Sequence, residues 1–158
     1  MKPMIYSKEM KSELLASGEY KGYKYYIVSM GTHPCAYIEI PKNSKYYMKH
    51  YDLIDDINCH GGLTFSQQYL FLEDEKLLID HTWFIGWDYA HFGDFIGVYI
   101  DIEYILSSNA HLWKTKEIMK EIKDVIIQIT HNDPIKNLCY EGKTQHFDIS
   151  EELFNERT

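Results

Sequence analysis

Between Thr115 and Thr130 the apolar residues Ile118, Met119, Ile122, Val125, Ile126 and Ile129 recur at three- and four-residue intervals. That spacing puts them on one stripe of an α-helix, while Lys116, Glu117, Lys120, Glu121, Lys123 and Asp124 fill the other side. The like charges at Glu117/Glu121 and Lys116/Lys120 are offset by the Glu117–Lys120 and Lys120–Asp124 neighbours. Asp133-Pro134 stops the pattern. A helix with such a stripe must bury it, and the rest of the chain supplies strands to bury it against.

The segment Tyr23-Lys24-Tyr25-Tyr26-Ile27-Val28 is rich in β-formers, and Gly31-Thr32-His33-Pro34 reads as a turn. Cys35–Ile40 follows, with Ala36, Ile38 and Ile40 on one face, so the two runs predict an antiparallel hairpin. Lys8–Ser17 is expected to form a short helix ending before Gly18. Lys45–Ile57 is expected to make a long surface excursion with at most one helical turn. Leu63-Thr64-Phe65 continues a glycine pair into a short strand, and Lys76–Asp80 and His81–Asp88 predict two more. The expected fold class is α+β: an antiparallel or mixed β-sheet with one long amphipathic helix packed on a face, in a single domain over residues 1–158.

A chain of 158 residues with 45% hydrophobic content has enough apolar surface for one core without disulfides or a structural metal. Three cysteines, Cys35, Cys59 and Cys139, with no CxxC pair argue against a disulfide framework or a thiolate zinc site. No apolar run is long enough to cross a bilayer, and Met1–Glu9 lacks the continuous apolar segment of a signal peptide, so the expected compartment is cytosolic. The formal charge of −8 works against duplex DNA and anionic lipid as partners, because binders of phosphate cluster their Lys and Arg. It suits either a plain solvated acidic surface or one that imitates nucleic acid towards a basic groove. Fourteen tyrosines, among them Tyr23, Tyr25, Tyr26, Tyr46, Tyr47 and Tyr51, fit half-buried strands or a contact surface, including one for a second copy.

Chemistry-bearing residues concentrate between Asn58 and Asp94. Cys59-His60-Gly61-Gly62 opens the segment and Trp83-Phe84-Ile85-Gly86-Trp87-Asp88-Tyr89-Ala90-His91-Phe92-Gly93-Asp94 closes it. On a strand, Trp83, Ile85 and Trp87 share one face and Phe84, Gly86 and Asp88 the other. Gly86 leaves room beside Asp88 for a ligand or a neighbouring chain. A turn at His91–Asp94 would fold His91 and Asp94 back towards Asp88, and His60 would complete two imidazoles and two carboxylates. Three arrangements are compatible with that set. A divalent metal suits imidazole and carboxylate, but Asp-x-x-His-x-x-Asp is a weak metal signature. A polar pocket would stack a flat ligand on Trp83 or Trp87 and fix its edge with Asp88 and His91. A structural set would have the carboxylates cap turns and the imidazole satisfy backbone groups. The candidate ligand-binding residues are His60, Gly61, Gly62, Thr64, Trp83, Gly86, Trp87, Asp88, His91 and Asp94; no catalytic role, metal ligand or cofactor is assigned. Cys59 beside His60 makes a weak nucleophile–base pair, since strand neighbours point apart. Gly61-Gly62 lacks the Gly-Lys-Ser/Thr of a phosphate loop. His33, His50, His81, His111, His131 and His146 follow no ligand spacing.

The segments His60-Gly61-Gly62-Leu63-Thr64-Phe65 and Trp83-Phe84-Ile85-Gly86-Trp87-Asp88-Tyr89-Ala90-His91-Phe92-Gly93-Asp94 resemble those of a family of small uncharacterised phage- and prophage-encoded proteins. One extra residue separates Trp83 from Gly86 relative to the simplest pattern. With the hairpin around Cys35-Ala36-Tyr37 and the helix, the resemblance covers about residues 20–130. It implies no particular reaction. It implies a phage accessory protein in the host cytosol, expected to counter host immunity by binding a host defence protein or a small nucleotide-type ligand. A metal-assisted hydrolase of a phosphate-containing substrate and a structural or virion-associated protein are the alternatives. The step from family to role is an analogy.

Overall fold

The computed structural model describes residues 12–72, 77–80, 82–96 and 110–133. Their strands are β1 Glu13–Tyr20, β2 Tyr23–Ser29, β3 Pro34–Ile40, β4 Phe65–Gln67, β5 Leu70–Leu72, β6 Leu77–Ile79 and β7 Trp83–Asp88; the helix α1 spans Thr115–Asn132. Five strands form an antiparallel sheet in the order β1-β2-β3-β7-β4, and β5 pairs with β6 in a second small sheet. The fold is α+β, as the patterning predicts.

The pleat sorts side chains as the sequence alternates. Ala36, Ile38 and Ile40 of β3 and Trp83, Ile85 and Trp87 of β7 face the helix, where they pack with Ile118, Met119, Ile122, Val125, Ile126 and Ile129. Cys35, Tyr37 and Phe84 point the other way and pack with Leu70 and Leu72 of the small β5–β6 pair. The sheet thus has α1 on one face and β5–β6 on the other. Strand β5 was not predicted, because three residues are too short for alternation to register.

The helix expected over Lys8–Ser17 is a correction: Glu13–Tyr20 is an edge strand, and residues 8–11 lie outside the described residues. Its register against β2 shifts between Leu14 and Ala16, and this β-bulge hides the period of two. The two residues between β1 and β2, Lys21 and Gly22, both have positive φ (49° and 85°), which makes the connection a type I′ turn. The β2–β3 hairpin stands as predicted, with Pro34 at the first position of its strand, where a missing N–H is tolerated.

The excursion from Lys45 to His60 contains one 3-10 turn at Tyr51–Leu53 and is clipped to α1 by side-chain hydrogen bonds. Lys45 N donates to Asp133 Oδ2 (3.1 Å), and Asn132 Nδ2 to the Asp56 carbonyl (2.7 Å). Gln128 and Asn58 exchange two bonds (2.7 and 2.8 Å), and His60 N donates to Glu121 Oε2 (3.0 Å). Residues 121, 128 and 132 lie seven and four apart, one row of the helix, so a polar row beside the apolar stripe satisfies loop backbone that no sheet partner reaches.

Gly86 faces Tyr37 and Phe65 across the sheet, and these rings meet edge to face at 4.9 Å over it. A Cβ on Gly86 would lie 2.6 Å from the Ala36 carbonyl oxygen and from Tyr37 Cδ1. The room the sequence leaves there is taken by a neighbouring strand. Gly86→Ala is expected to destabilise the fold by about 1–3 kcal/mol through overpacking, read as a lower midpoint in urea denaturation; an unchanged midpoint would show that β3 yields freely.

Candidate functional site

Two tight turns at the end of the sheet build the site. In Cys59–Gly62 the Gly62 N–H donates to the Cys59 carbonyl (3.0 Å), with Gly61 at φ 69°. In His91–Asp94 the Asp94 N–H donates to the His91 carbonyl (2.9 Å), with Gly93 at φ 91°. Of the two central residues of each turn only the second, Gly61 or Gly93, has positive φ, which makes both type II turns, where glycine is the favoured residue; Gly62 at the end of its turn is left-handed too, at φ 84°. Gly61 has a second reason to lack a side chain. A Cβ there would fall 2.1 Å from His91 Nε2, so the imidazole of one turn seats on the backbone of the other.

His60, Asp88, His91 and Asp94 do come together. His60 Nε2 lies 2.7 Å from Asp94 Oδ2; the ionised carboxylate only accepts, so Nε2 carries the proton. The His91 backbone N–H also donates to Oδ2 (3.0 Å), and the Trp113 indole N–H donates to Oδ1 (2.8 Å). Asp94 has only 3% of its side chain exposed. Burial alone would raise its pKa, but the His91 N–H, the His60 ring and the Trp113 indole outweigh it and hold the carboxyl below its ordinary value. Asp88 accepts from the Thr64 hydroxyl at Oδ2 (3.1 Å) and from the Ala90 N–H at Oδ1 (3.2 Å). His91 Nε2 lies 3.1 Å from Asp88 Oδ1, yet its orientation leaves that nitrogen buried without a hydrogen bond.

The aromatic surroundings are dense. His60 stacks on Tyr89 (4.8 Å, 12°) and meets Trp113 edge-on at 4.8 Å; His111 also meets Trp113 edge-on, at 4.5 Å. His111 Nε2 pairs with Glu117 Oε2 (2.8 Å), and the other oxygen of Glu117 accepts the Lys114 N–H at the start of α1 (3.0 Å). Beneath the stack Glu121 accepts a short bond from the Tyr89 hydroxyl, one from the Trp87 indole (3.1 Å) and the His60 N–H. Burial, then the Glu121 carboxylate, push the Tyr89 phenol far above its usual range.

Three other candidates, Trp83, Trp87 and Gly86, are placed elsewhere. Trp83 and Trp87 are 8% and 1% exposed beneath α1, so neither ring is open to stack a ligand; the pleat that buries them is the one the sequence predicts. Gly86 lies under Tyr37 within the sheet. Gly62 borders open space at the rim, and Thr64 is exposed beside Asp88. Burial raises the Cys59 thiol to about 12, with Glu121 adding to the shift, which removes the thiolate that a Cys–His nucleophile pair needs. Sequence reasoning missed Tyr89, His111, Trp113, Glu117 and Glu121. Glu121 was expected on the solvent side of the helix. His33 was also missed: burial lowers its pKa, while Asp88 and Asp94 pull it up and His91 pushes it down, so it sits within their field. A cavity of about 210 Å³ lies on the opposite face of the sheet, against Val28, Tyr37, Phe65 and Leu70.

Among the described residues, no group of three or more His, Cys, Asp or Glu is arranged to hold a metal ion. No helix among them is long and apolar enough to cross a membrane. The chain matches no family model, no curated protein and no solved structure. Both carboxylates of the cluster spend their oxygens on protein donors, and each imidazole is held by the opposite turn.

Two outcomes follow. Glu121→Ala strands the Tyr89 hydroxyl and the His60 N–H and leaves the Trp87 indole only its bond to the Tyr89 oxygen (3.0 Å); it is expected to cost about 2–3 kcal/mol, while Glu121→Gln, which keeps one acceptor oxygen, costs clearly less. Chemical denaturation of the two variants checks this; equal losses would show that packing rather than hydrogen bonding holds the junction. For Asp94 the folded pKa is depressed, so its contribution is present above the ordinary value of 3.8 and is lost as pH falls through the lower folded value. The acid limb of the stability curve is expected to flatten in Asp94→Asn, with lower stability at neutral pH.

Proposed function

We propose that this chain is a phage or prophage accessory protein that counters host defence by binding a host effector protein, without catalysis. The phage context rests on the likeness of the His60–Phe65 and Trp83–Asp94 segments to small phage-encoded proteins. The binding mode rests on one observation: the Asp94 carboxylate is buried, 3% exposed, and takes three protein donors from His60, His91 and Trp113, while Asp88 accepts one bond on each oxygen, from Ala90 and Thr64. A general base or a metal ligand needs an oxygen that a substrate or ion can claim. Here those oxygens instead fix two turns in place.

Electrostatics favour a protein over a nucleotide as the bound species. Asp88, Asp94, Glu117 and Glu121 lie within this one region, and among the described residues no Lys or Arg side chain pairs with any of them. A phosphate approaching the rim would meet that field together with a formal net charge of −8. A basic protein surface would be drawn to it.

The experiment compares phage plaquing on defended and undefended bacterial hosts with and without the protein. Expression is expected to raise plaquing on the defended host at least tenfold, and Asp88→Asn and His91→Ala to keep that effect wherever they fold. The complex with the effector should weaken as salt rises from about 50 mM to about 0.5 M. Turnover of a nucleoside phosphate by purified protein with added divalent metal, abolished in both variants, would replace this reading with the hydrolytic one. A nucleotide carried through purification and seen by mass spectrometry would replace the effector with a small ligand.

A further inference from the structure

Phe92 is the most exposed large apolar residue among those described, with a relative accessibility of 107%, and it sits at the tip of the His91–Asp94 turn. Turn chemistry does not ask for it: the second position of a type II turn favours proline. Burial does not explain it either, because the side chain is left entirely to water. Yet the backbone that carries it is fastened on every side. The turn closes through the Asp94 N–H, and the Asp94 side chain caps it at the His91 N–H. His60 and Trp113 hold that carboxylate. Beyond the tip the His111 N–H donates to the Gly93 carbonyl (2.7 Å) and the Phe95 N–H to the His111 carbonyl (2.9 Å). Glycine at φ 91° fixes the direction in which the ring leaves the surface.

We infer that Phe92, presented on the rigid His91–Asp94 turn, is the residue that inserts into the protein partner, filling an apolar pocket bordered by Lys or Arg. An aromatic ring on a preorganised backbone gives up little conformational entropy on binding, which is the property of an interface anchor. The basic border follows from charge complementarity with the net −8 of the chain and with the carboxylates behind the turn. The purpose of the Asp94 cap, held by His60 and Trp113, is then mechanical: it stiffens the anchor. The inference rests on the binding reading above and names the surface that performs it.

The test places the photo-crosslinking residue benzoylphenylalanine at position 92 and, in separate proteins, at Tyr69 and Phe71, both 49% exposed on the opposite face. Irradiation is carried out in the defended host used for plaquing. A single adduct at position 92 is expected, with the crosslinked partner peptide mapping beside Lys or Arg residues. Excess wild-type protein should suppress it, and Phe92→Ala, whose melting temperature should match the wild type, should need at least tenfold more to do so. Gly93→Ala, which keeps the phenyl ring but strains the turn, should compete as poorly as Phe92→Ala. An adduct with a second copy of this chain, or one at position 92 that wild type does not suppress, overturns the inference. Adducts at position 69 or 71 alone overturn it while leaving the binding reading intact. Absence of a specific adduct at all three positions brings down both.

Discussion

The carboxylate of Glu121 is the point at which the helix, the sheet and the Cys59–Gly62 turn become one object. It receives the Trp87 indole from within β7, the Tyr89 hydroxyl from just beyond that strand, and the backbone N–H of His60 from the end of the long excursion. Three donors of different origin share one acceptor group that projects from the helix row also carrying Gln128 and Asn132. Without such a carboxylate the Tyr89 hydroxyl and the His60 N–H would be left at least partly buried and unpaired, with the Trp87 indole keeping only the Tyr89 oxygen, at a cost larger than the net gain of any single hydrogen bond. Apolar packing brings α1 onto the sheet; this polar junction decides where along the sheet the 59–62 turn comes to rest.

From that junction the rest of the site follows in steps. The Cys59–Gly62 turn delivers His60 against Tyr89, and His60, Tyr89 and Trp113 close a three-ring cluster with centroids 4.8 Å apart. His60 then reaches Asp94, which simultaneously caps its own turn. Gly61 leaves the space that the His91 ring occupies. Each turn therefore supplies the part that the other lacks, and neither conformation is set by local sequence alone. Such reciprocity is a structural reason for glycines and imidazoles to occur together in both segments.

The strand faces of β3 and β7 and the apolar stripe of α1 were legible in the sequence because each obeys a simple period, and burial of Ile38, Ile85, Trp87 and Ile122 follows directly from it. The meeting of His60, Asp88, His91 and Asp94 was also legible, from the concentration of ionisable groups beside turn glycines. What period could not show was the partner of each group. Glu121 belongs to the polar side of the helix by spacing, yet it lies at the margin of the stripe where a loop can reach it. Trp113 and His111 enter through the Asp94–His111 bridge, a contact between segments seventeen residues apart that leaves no local pattern. The edge strand β1 was mistaken for a helix because one bulged residue is enough to erase an alternation.

A cluster of histidines and carboxylates invites a catalytic interpretation, and the distinction lies in which atoms are left over. In an acid–base site the carboxylate orients the imidazole so that its remaining nitrogen faces the reacting atom, and that nitrogen needs a nucleophile or a bound water beside it. His60 is oriented by Asp94 in this manner. Its neighbour Cys59, however, is held as a thiol by burial, and His91 turns its Nε2 into the protein against Gly61. The group left wholly free of the protein is a phenyl ring at the tip of the hydrogen-bonded His91–Asp94 turn. Fixed polar groups around a projecting apolar one suit the contact surface proposed above, where rigidity would raise affinity by lowering the entropy lost on association.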